Sequence, residues 1–312
     1  MKASVIIPSH NAQSTLPLAL RSIEEAAKGL DVEVIVIEDE SGRGPSWARN
    51  RGLDRATGEV VFFVDADDTV DREFFSAPLS ELNRSGAEMC FFDANITEMK
   101  TVCALRGHER IRSDLLPAFF GFSFEDVRRW NHGGELFARR ELGYVWRVAF
   151  RTEFLKRHAI RFDERMYVSE DAAFLSECVF HADSVVSIRK KLYRYAPGDN
   201  GLMATAMRSR RAWEYKLAVL DFRKRLISLA PDEIAHHCEA SHVFSLLEML
   251  SLWRRAGLSF REFKAGIARY LSEPRVRKAL YDFPLSARHP LTACAVLALR
   301  TFCHCVKTGI II

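Results

Sequence analysis

The sequence has few features of a protein held together by disulfides or by a structural metal. Its seven cysteines are scattered, and no two of them form a Cys-x-x-Cys pair. Seven is also an odd number, so we expect neither a disulfide framework nor a zinc knuckle. Met1–Ser4 leads directly into an apolar run, without an apolar leader followed by a cleavage site. These absences predict a reducing, cytoplasmic location.

A convincing membrane-spanning run is also absent. The largely apolar stretch Leu291–Val306 is interrupted by Arg300 and is shorter than the roughly twenty apolar residues that a spanning helix needs. Positive charge is concentrated in the same part of the chain. Residues 208–312 carry 18 basic and 9 acidic side chains, whereas residues 1–207 carry 27 basic and 32 acidic ones. This excess indicates either contact with an anionic partner or a solvated basic surface.

The first third of the sequence alternates between short β-branched runs and longer amphipathic segments. Val5–Ile7, Val32–Ile37 and Val60–Val64 are apolar runs of strand length. Residues 14–28, between the first two runs, place leucine and isoleucine at helical spacing. The pattern predicts an α/β fold, a mostly parallel sheet flanked by helices, in a domain of residues 1–207.

The strand pattern stops after that domain, and the remaining sequence is typical of helices. We therefore predict an all-helical C-terminal region over residues 208–312. Four helices are expected within it, over residues 209–229, 232–256, 259–272 and 290–306.

Polar clusters follow three predicted strands at the point where each strand ends. They are Pro8–Asn11, Glu38–Ser41 and Asp65–Asp68. The carboxyl ends of parallel strands meet at one edge of a sheet, and ligands of α/β proteins bind there. The sequence therefore predicts one binding site that is built from all three clusters.

The last of these clusters contains three carboxylates within four residues. Asp65 and Asp67 face the same side if the strand conformation continues, and Asp68 follows directly. Such carboxylates repel one another unless a cation neutralises them, and Mg²⁺ or Mn²⁺ prefers oxygen ligands of this kind. A solvated acidic turn is the commoner explanation of an isolated D-x-D pattern.

Several motifs occur together in the order of a known family. Val5–Asn11 resembles an opening strand with an I-P-x-x-N turn, and Ile37–Ser41 stands where that family has V-D-D-G-S. Ala48–Gly52 resembles A-R-N-x-G, Phe63–Asp68 resembles F-L-D-A-D-D, and Ser169–Asp171 contains an E-D pair. Over roughly the first 205 residues, the chain resembles the family 2 glycosyltransferases of the GT-A fold.

The resemblance implies a role for each matching residue. Asp171 would be the catalytic base, although acids in the first turn of a helix capped by Ser169 are also favoured by the helix dipole. Trp146 and Glu170 would lie on the acceptor side. Asp67 would be the main ligand of Mn²⁺ or Mg²⁺, assisted by Asp65 and Asp68. The implied donor-binding residues are Pro8, Ser9, Asn11, Asp39, Arg49, Asp65, Ala66 and Asp67.

Some positions depart from the family's usual pattern. Glu38 and Glu40 replace an aspartate and a glycine, which affects the donor base or the loop shape. Val148 stands two residues after Trp146, where the family usually has a basic residue, and Arg147 is the nearest substitute. The segment Asn200–Met203 resembles the family's donor-covering loop.

The expected function is inverting transfer of a sugar, from a nucleotide-sugar that is most simply a UDP-sugar, to a glycan or lipid-linked acceptor. Such a reaction suits bacterial surface polysaccharide synthesis. A catalytically degenerate binding scaffold is the alternative, and a nucleotidyltransferase would need a glycine-rich phosphate loop where Ser9–Ala12 stands. We expect the basic tail to dock at the inner face of the cell membrane, with a buried helical subdomain or a homo-oligomer interface as alternatives. Nucleic acid is not expected as a partner.

Overall fold

A computed structural model describes residues 1–98, 104–136, 143–166, 169–196 and 210–307. The chain forms two compact units. The first contains Met1–Phe119 and Glu141–Gly201, and the second contains Phe120–Arg140 and Leu202–Ile312. Residues 120–140 thus belong to the helical unit, which the predicted helical region did not include. The predicted boundary after residue 207 lies outside the described residues and stays a prediction.

The first unit is an eight-stranded sheet with helices. Its strands are β1 Ala3–Ser9, β2 Val32–Glu38, β3 Val60–Phe63, β4 Thr69–Val70, β5 Met89–Ala94, β6 Ala104–Arg106, β7 Val148–Arg151 and β8 Ser184–Arg194. Its helices are α1 Leu16–Ala26, α2 Pro45–Arg55, α3 Ser76–Ser85, α4 His108–Phe119, α6 Thr152–Arg157 and α7 Glu170–His181, with a 3₁₀ turn at Val145–Arg147. The predicted α/β class is confirmed.

The sheet is mixed. The strands follow the order β2-β1-β3-β7-β5-β8-β4, and β6 also pairs with β8. β1 runs parallel to β2 and β3, and β5 runs parallel to β8, while β7 is antiparallel to both of its neighbours. β7 therefore reverses the direction at the centre of the sheet.

The pairing of the first three strands brings the predicted polar clusters to one edge. Ser9 lies opposite Glu38, and Ile6 lies opposite Phe63. The pairing continues past the strand ends, because the Asp39 amide donates to the Ser9 carbonyl at 2.8 Å and the Val64 amide donates to the Ile6 carbonyl at 3.0 Å. The ends of β1, β2 and β3 thus lie side by side at one edge of the sheet, as predicted.

Buried apolar packing around β3 holds this edge of the sheet in place. All four residues of β3 are buried, since the strand is apolar on both faces. Phe62 packs edge-on against Phe75, with ring centroids 5.1 Å apart, and Phe74 packs against Phe92 at 5.5 Å. Aromatic packing of this kind leaves little freedom for the loop that begins at Asp65.

Close packing of α2 on β1 explains the glycine of the A-R-N-x-G motif. A Cβ atom at Gly52 would lie 2.2 Å from Cγ2 of the fully buried Ile6. We expect Gly52→Ala to lower the free energy of unfolding by about 1–3 kcal/mol through overpacking, despite the better helix propensity of alanine. Urea unfolding measures this loss. In the Gly52→Ala background, Ile6→Ala should lower the free energy of unfolding by less than it does in the wild-type protein. Strictly additive losses would show that the contact with Ile6 is not the cause.

The second unit is helical. Its helices are α5 Phe124–Asn131, α8 Arg210–Leu229, α9 Pro231–Ile234, α10 Glu239–Arg255, α11 Phe260–Ser272, α12 Pro274–Asp282 and α13 Pro290–Lys307. The helices predicted over 209–229, 259–272 and 290–306 are confirmed. The one predicted over 232–256 is interrupted by a 3₁₀ turn at Ala235–His237, and α12 was not predicted. Across the ranges described above, none of the helices combines the length and the apolar character that a membrane crossing requires.

Candidate active site

The aspartate cluster forms a tight turn after β3. The Asp68 amide donates to the Asp65 carbonyl at 3.1 Å, which closes the turn. Asp67 is exposed, Asp65 is half-buried and Asp68 is buried. The Tyr193 hydroxyl accepts the Asp65 amide at 3.0 Å and donates to Asp68 Oδ2 at 2.6 Å, and the Ala196 amide donates to Asp68 Oδ1 at 2.7 Å. Asp68 therefore holds the turn in shape, while Asp67 faces solvent.

Arg49 connects this turn to the predicted E-D pair. Its Nη2 donates to Asp65 Oδ1 at 2.9 Å. Its Nη1 donates to Glu170 Oε1 at 2.9 Å and to Asp171 Oδ1 at 2.8 Å. The arginine is 3% exposed, and its guanidinium also lies 5.4 Å from the ring centroid of Phe162. Residues far apart in the sequence, at 49, 65, 170 and 171, thus form one site.

The site is strongly acidic. Burial raises the pKa values of Asp171 and Glu170, although the Arg49 cation lowers both. Burial opposes the charge of Arg49, but Asp171, Asp65 and Glu170 together raise its pKa above the usual value. One permanent cation therefore faces three carboxyl groups, so the site carries a net negative charge at any pH where all three are ionised.

The aspartate turn has the donor set of a hard divalent cation. Partial desolvation and the neighbouring Asp65 carboxylate raise the pKa of Asp67, and burial raises that of Asp68 to about 7. Among the described residues, no group of three or more histidine, cysteine or acidic side chains is arranged to enclose a metal ion. Mg²⁺ typically binds one or two carboxylates and completes its shell with phosphates and water, and Asp67 with Asp65 fits that requirement.

Asp171 lies in the first turn of α7. Its Oδ2 accepts the backbone amide of Val145 at 3.2 Å, so both of its oxygens are held. Ser169 has a left-handed backbone with φ of 59° and makes no side-chain hydrogen bond to the helix. The prediction that the Ser169 side chain caps α7 is therefore wrong, because its left-handed backbone differs from the extended conformation of a typical N-cap residue.

The acids after β2 are held by the loop that follows them. Asp39 Oδ1 accepts the Arg43 amide at 2.9 Å, and Oδ2 accepts the Gly44 amide at 2.7 Å. Asp39 is 4% exposed and thus stabilises the turn into α2. Glu38 is exposed, and its Oε1 accepts the Ser9 hydroxyl at 2.9 Å.

The other predicted donor-binding residues lie at the same edge. Pro8 is half-buried and Ala66 is buried, so each shapes the edge chiefly through its backbone. Asn11 is exposed and has φ of 53°, and its Nδ2 lies 3.0 Å from Nε2 of His10. His10 in turn contacts the Asp39 carbonyl through Nδ1 at 2.6 Å. The first two clusters are thereby joined.

The predicted acceptor residue Trp146 is 1% exposed. Its ring stacks on Tyr193, with centroids 4.2 Å apart, and on Tyr144 at 4.7 Å. Arg147 points elsewhere, because its Nε donates to the Phe92 carbonyl and its Nη1 donates to Thr97. Arg147 therefore does not replace the basic residue that is absent at Val148.

Sequence reasoning missed Tyr144, Tyr193 and Tyr195. The signal was present, since Tyr144 precedes Trp146 by two residues and the other two lie in Lys191–Tyr195, which resembles the closing strand of the family 2 glycosyltransferases. An alternating Tyr-x-Tyr on a strand places both rings on one face. The predicted donor-covering loop, Asn200–Met203, lies outside the described residues.

Several known proteins are similar to this chain. Residues 36–102, which include the aspartate cluster, match the model of the family described as Glycosyl transferase family 2. The uncharacterized glycosyltransferase EpsJ of Bacillus subtilis is 24% identical over 225 residues, which cover 64% of this chain and 62% of EpsJ. The succinoglycan biosynthesis protein ExoO of Rhizobium meliloti is 23% identical over 202 residues, 56% of this chain and 54% of ExoO. The chain thus spans less than two thirds of the length of these relatives.

A solved structure shares the fold. The crystal structure of S. aureus TarS 1-349 in complex with UDP-GlcNAc is 19% identical and has a TM-score of 0.58, with 99% of this chain and 92% of that chain covered. The chain therefore has the GT-A fold, as predicted. The family match over residues 36–102, the curated relatives and this fold together support the predicted resemblance to glycosyltransferase family 2.

Proposed function

We propose that the chain is an inverting glycosyltransferase that moves a sugar from a UDP-sugar to a hydroxyl group of a glycan or lipid-linked acceptor. The observation that carries this proposal is the contact of one guanidinium, that of Arg49, with Asp65, Glu170 and Asp171. This contact joins Asp65, on the proposed leaving-group side of the reaction, to Asp171, on the proposed proton-accepting side. The relative ExoO, which is named for succinoglycan biosynthesis, supports a place in bacterial polysaccharide synthesis.

Asp171 is the general base of the proposed reaction. The acceptor oxygen attacks the anomeric carbon, the bond from that carbon to the diphosphate breaks, and the acceptor proton passes to Asp171. A carboxylate with an ordinary pKa of about 4 is a weak proton acceptor, so the raised pKa improves the base near neutral pH. A single displacement inverts the anomeric configuration.

Arg49 is a positioning residue in this scheme. The sequence predicted that it contacts the donor, but its guanidinium is buried among three carboxylates, with contacts of 2.8–2.9 Å. Its charge lowers the pKa of Asp171 against the larger effect of burial, and its contacts fix the distance between the base and the aspartate turn. Arginine suits this task, because its planar fork binds several oxygens at once.

Asp67 is the principal proposed ligand of Mn²⁺ or Mg²⁺, with Asp65 assisting and Asp68 holding the turn. When bound, the cation stabilises the negative charge that develops on the departing diphosphate. Asp65 retains Oδ2 for this role while Oδ1 accepts from Arg49.

The donor nucleotide is proposed to lie along the ends of β1 and β2. TarS, which shares the fold, was crystallised with UDP-GlcNAc, and this supports a UDP-sugar. The buried Asp39 shapes the loop, whereas the exposed Glu38 and Asn11 are free to face the nucleotide. Docking of the basic C-terminal region on an anionic membrane remains a prediction.

Asp67→Ala should abolish the metal-dependent part of UDP binding. We expect the affinity for UDP with Mn²⁺ to fall by at least about tenfold, since even outer-shell partners of metal sites contribute that much. UDP binding without Mn²⁺ should change little. Isothermal titration calorimetry measures both affinities, and Asp71→Ala, in a nearby half-buried carboxylate, is the matched control. Equal affinities of the Asp67→Ala and wild-type proteins in Mn²⁺ would exclude Asp67 as the ligand.

A further inference from the structure

Two partly exposed tyrosine rings cover the buried aromatic stack of the candidate site. The ring centroids of Tyr144 and Trp146 are 4.7 Å apart, with 13° between the ring planes. Those of Tyr195 and Trp146 are 6.4 Å apart, with 19° between the planes. Trp146 and Tyr193 are buried beneath them. Tyr144 and Tyr195 are therefore the members of this stack that a ligand can reach.

Hydrogen bonds fix the backbone at or next to each of the two tyrosines. Val145, which follows Tyr144, donates its amide to Asp171 at 3.2 Å. Tyr195 is clamped by Asn95, whose Oδ1 accepts the Tyr195 amide and whose Nδ2 donates to the Tyr195 carbonyl, both at 2.9 Å. Tyr144 is thus fixed beside the candidate base, and Tyr195 is fixed beside the aspartate turn.

The phenol groups lie within electrostatic reach of the reacting carboxylates. Burial, Tyr195 and Asp171 raise the pKa of Tyr144. Burial and the three carboxylates of the aspartate turn raise that of Tyr195. Both hydroxyls therefore stay neutral and can donate hydrogen bonds. A flat apolar ring with a polar tip matches a pyranose, which has an apolar C–H face and a rim of hydroxyl groups.

We propose that Tyr144 and Tyr195 form the stacking surface for the pyranose ring of the acceptor, in place of the buried Trp146. This inference rests on the proposed function, because an acceptor sugar is required at this position only if Asp171 is the base. Trp146 supports the surface from below. Tyr193 links it to the aspartate turn, since its hydroxyl contacts both Asp65 and Asp68.

Saturation-transfer difference NMR on the full chain, with UDP and Mn²⁺ present, tests this surface. The probes are the methyl β-pyranosides of glucose, galactose and N-acetylglucosamine and methyl α-mannopyranoside. We expect at least one of them to bind through its ring protons. Tyr144→Ala should weaken that binding at least about fivefold, the loss expected for one aromatic contact, whereas Tyr144→Phe should weaken it less than twofold. Tyr281→Ala, in an exposed tyrosine of the helical unit, is the matched control.

UDP affinity, measured by calorimetry on the same samples, separates the two ideas. If the wild-type protein binds UDP but none of the four glycosides, or if Tyr144→Ala binds them as well as wild type does, the stacking surface is wrong and the proposed function stands. If the wild-type protein binds no UDP in Mn²⁺, the proposed function is wrong and the stacking surface is overturned with it.

Discussion

Asp171→Asn should lower kcat by about 10²- to 10⁴-fold, the range that a general base contributes. Asparagine has the same shape but cannot accept the acceptor proton, whereas Arg49, Asp65 and the aspartate turn stay in place. UDP affinity in Mn²⁺ should therefore change little. Release of UDP in the presence of the acceptor measures kcat, and Glu177→Gln, in a buried carboxyl of the same helix, is the control. A fully active Asp171→Asn protein would remove Asp171 as the base.

The pH dependence of the stability of Asp171→Asn is an independent test of the same carboxyl group. Burial raises the folded-state pKa of Asp171 above the ordinary value of about 4, so folding takes up a proton between these two values. The wild-type protein loses stability from this group as the pH rises through that window. Asp171→Asn removes the loss, and its urea midpoint should fall less between about pH 5 and about pH 8 than that of the wild-type protein. Parallel pH profiles would show that the carboxyl is not perturbed.

Arg49→Met should destabilise the fold by about 3–5 kcal/mol, the cost of leaving buried charges without their partner. Removing the guanidinium raises the folded-state pKa values of Glu170 and Asp171, so the loss should be larger at about pH 8 than at about pH 5. Urea unfolding at the two pH values measures this difference. Methionine preserves much of the apolar stem of the arginine, so the effect reports mainly on charge.

Arg51 provides the matched control for this experiment. It lies two residues further along α2 and is about half exposed, and its guanidinium lies 3.6 Å from Asp54 and 6.0 Å from the centroid of the Trp47 ring. Arg51→Met should therefore cost less than about 1 kcal/mol. Asp171→Asn in the Arg49→Met background should restore part of the lost stability, because it removes one unpaired carboxylate. If Arg49→Met and Arg51→Met lowered the free energy of unfolding equally little, the contact of Arg49 with three carboxylates would not stabilise the fold.

The sheet edge was predictable because its signals are local. Val5–Ile7 and Val60–Val64 are apolar runs that end in polar residues, and the observed strands, Ala3–Ser9 and Val60–Phe63, agree to within about two residues. Helix α12 was missed. It begins at Pro274, directly after the end of α11 at Ser272, and its basic residues obscure a short apolar face of Val276, Ala279 and Leu280.

Side-chain partners were less predictable because they depend on tertiary contacts. The A-R-N-x-G motif marked Arg49 as functional, but its three partners lie 16, 121 and 122 residues away in sequence. Trp146 was assigned to the acceptor side, yet two tyrosines bury it against the sheet. Asp39 was predicted to bind the donor, and the loop whose amides donate to it has a shape that the sequence does not reveal.

A crystal structure of the full chain with UDP and Mn²⁺ tests the central claim most directly, namely that the aspartate turn and Asp171 serve one reaction. We predict that Mn²⁺ would be held at the Asp67 carboxylate, that the uridine lies along the ends of β1 and β2, and that the terminal phosphate lies between the aspartate turn and Asp171. Nucleotide bound elsewhere, or metal bound without Asp67, would contradict the account.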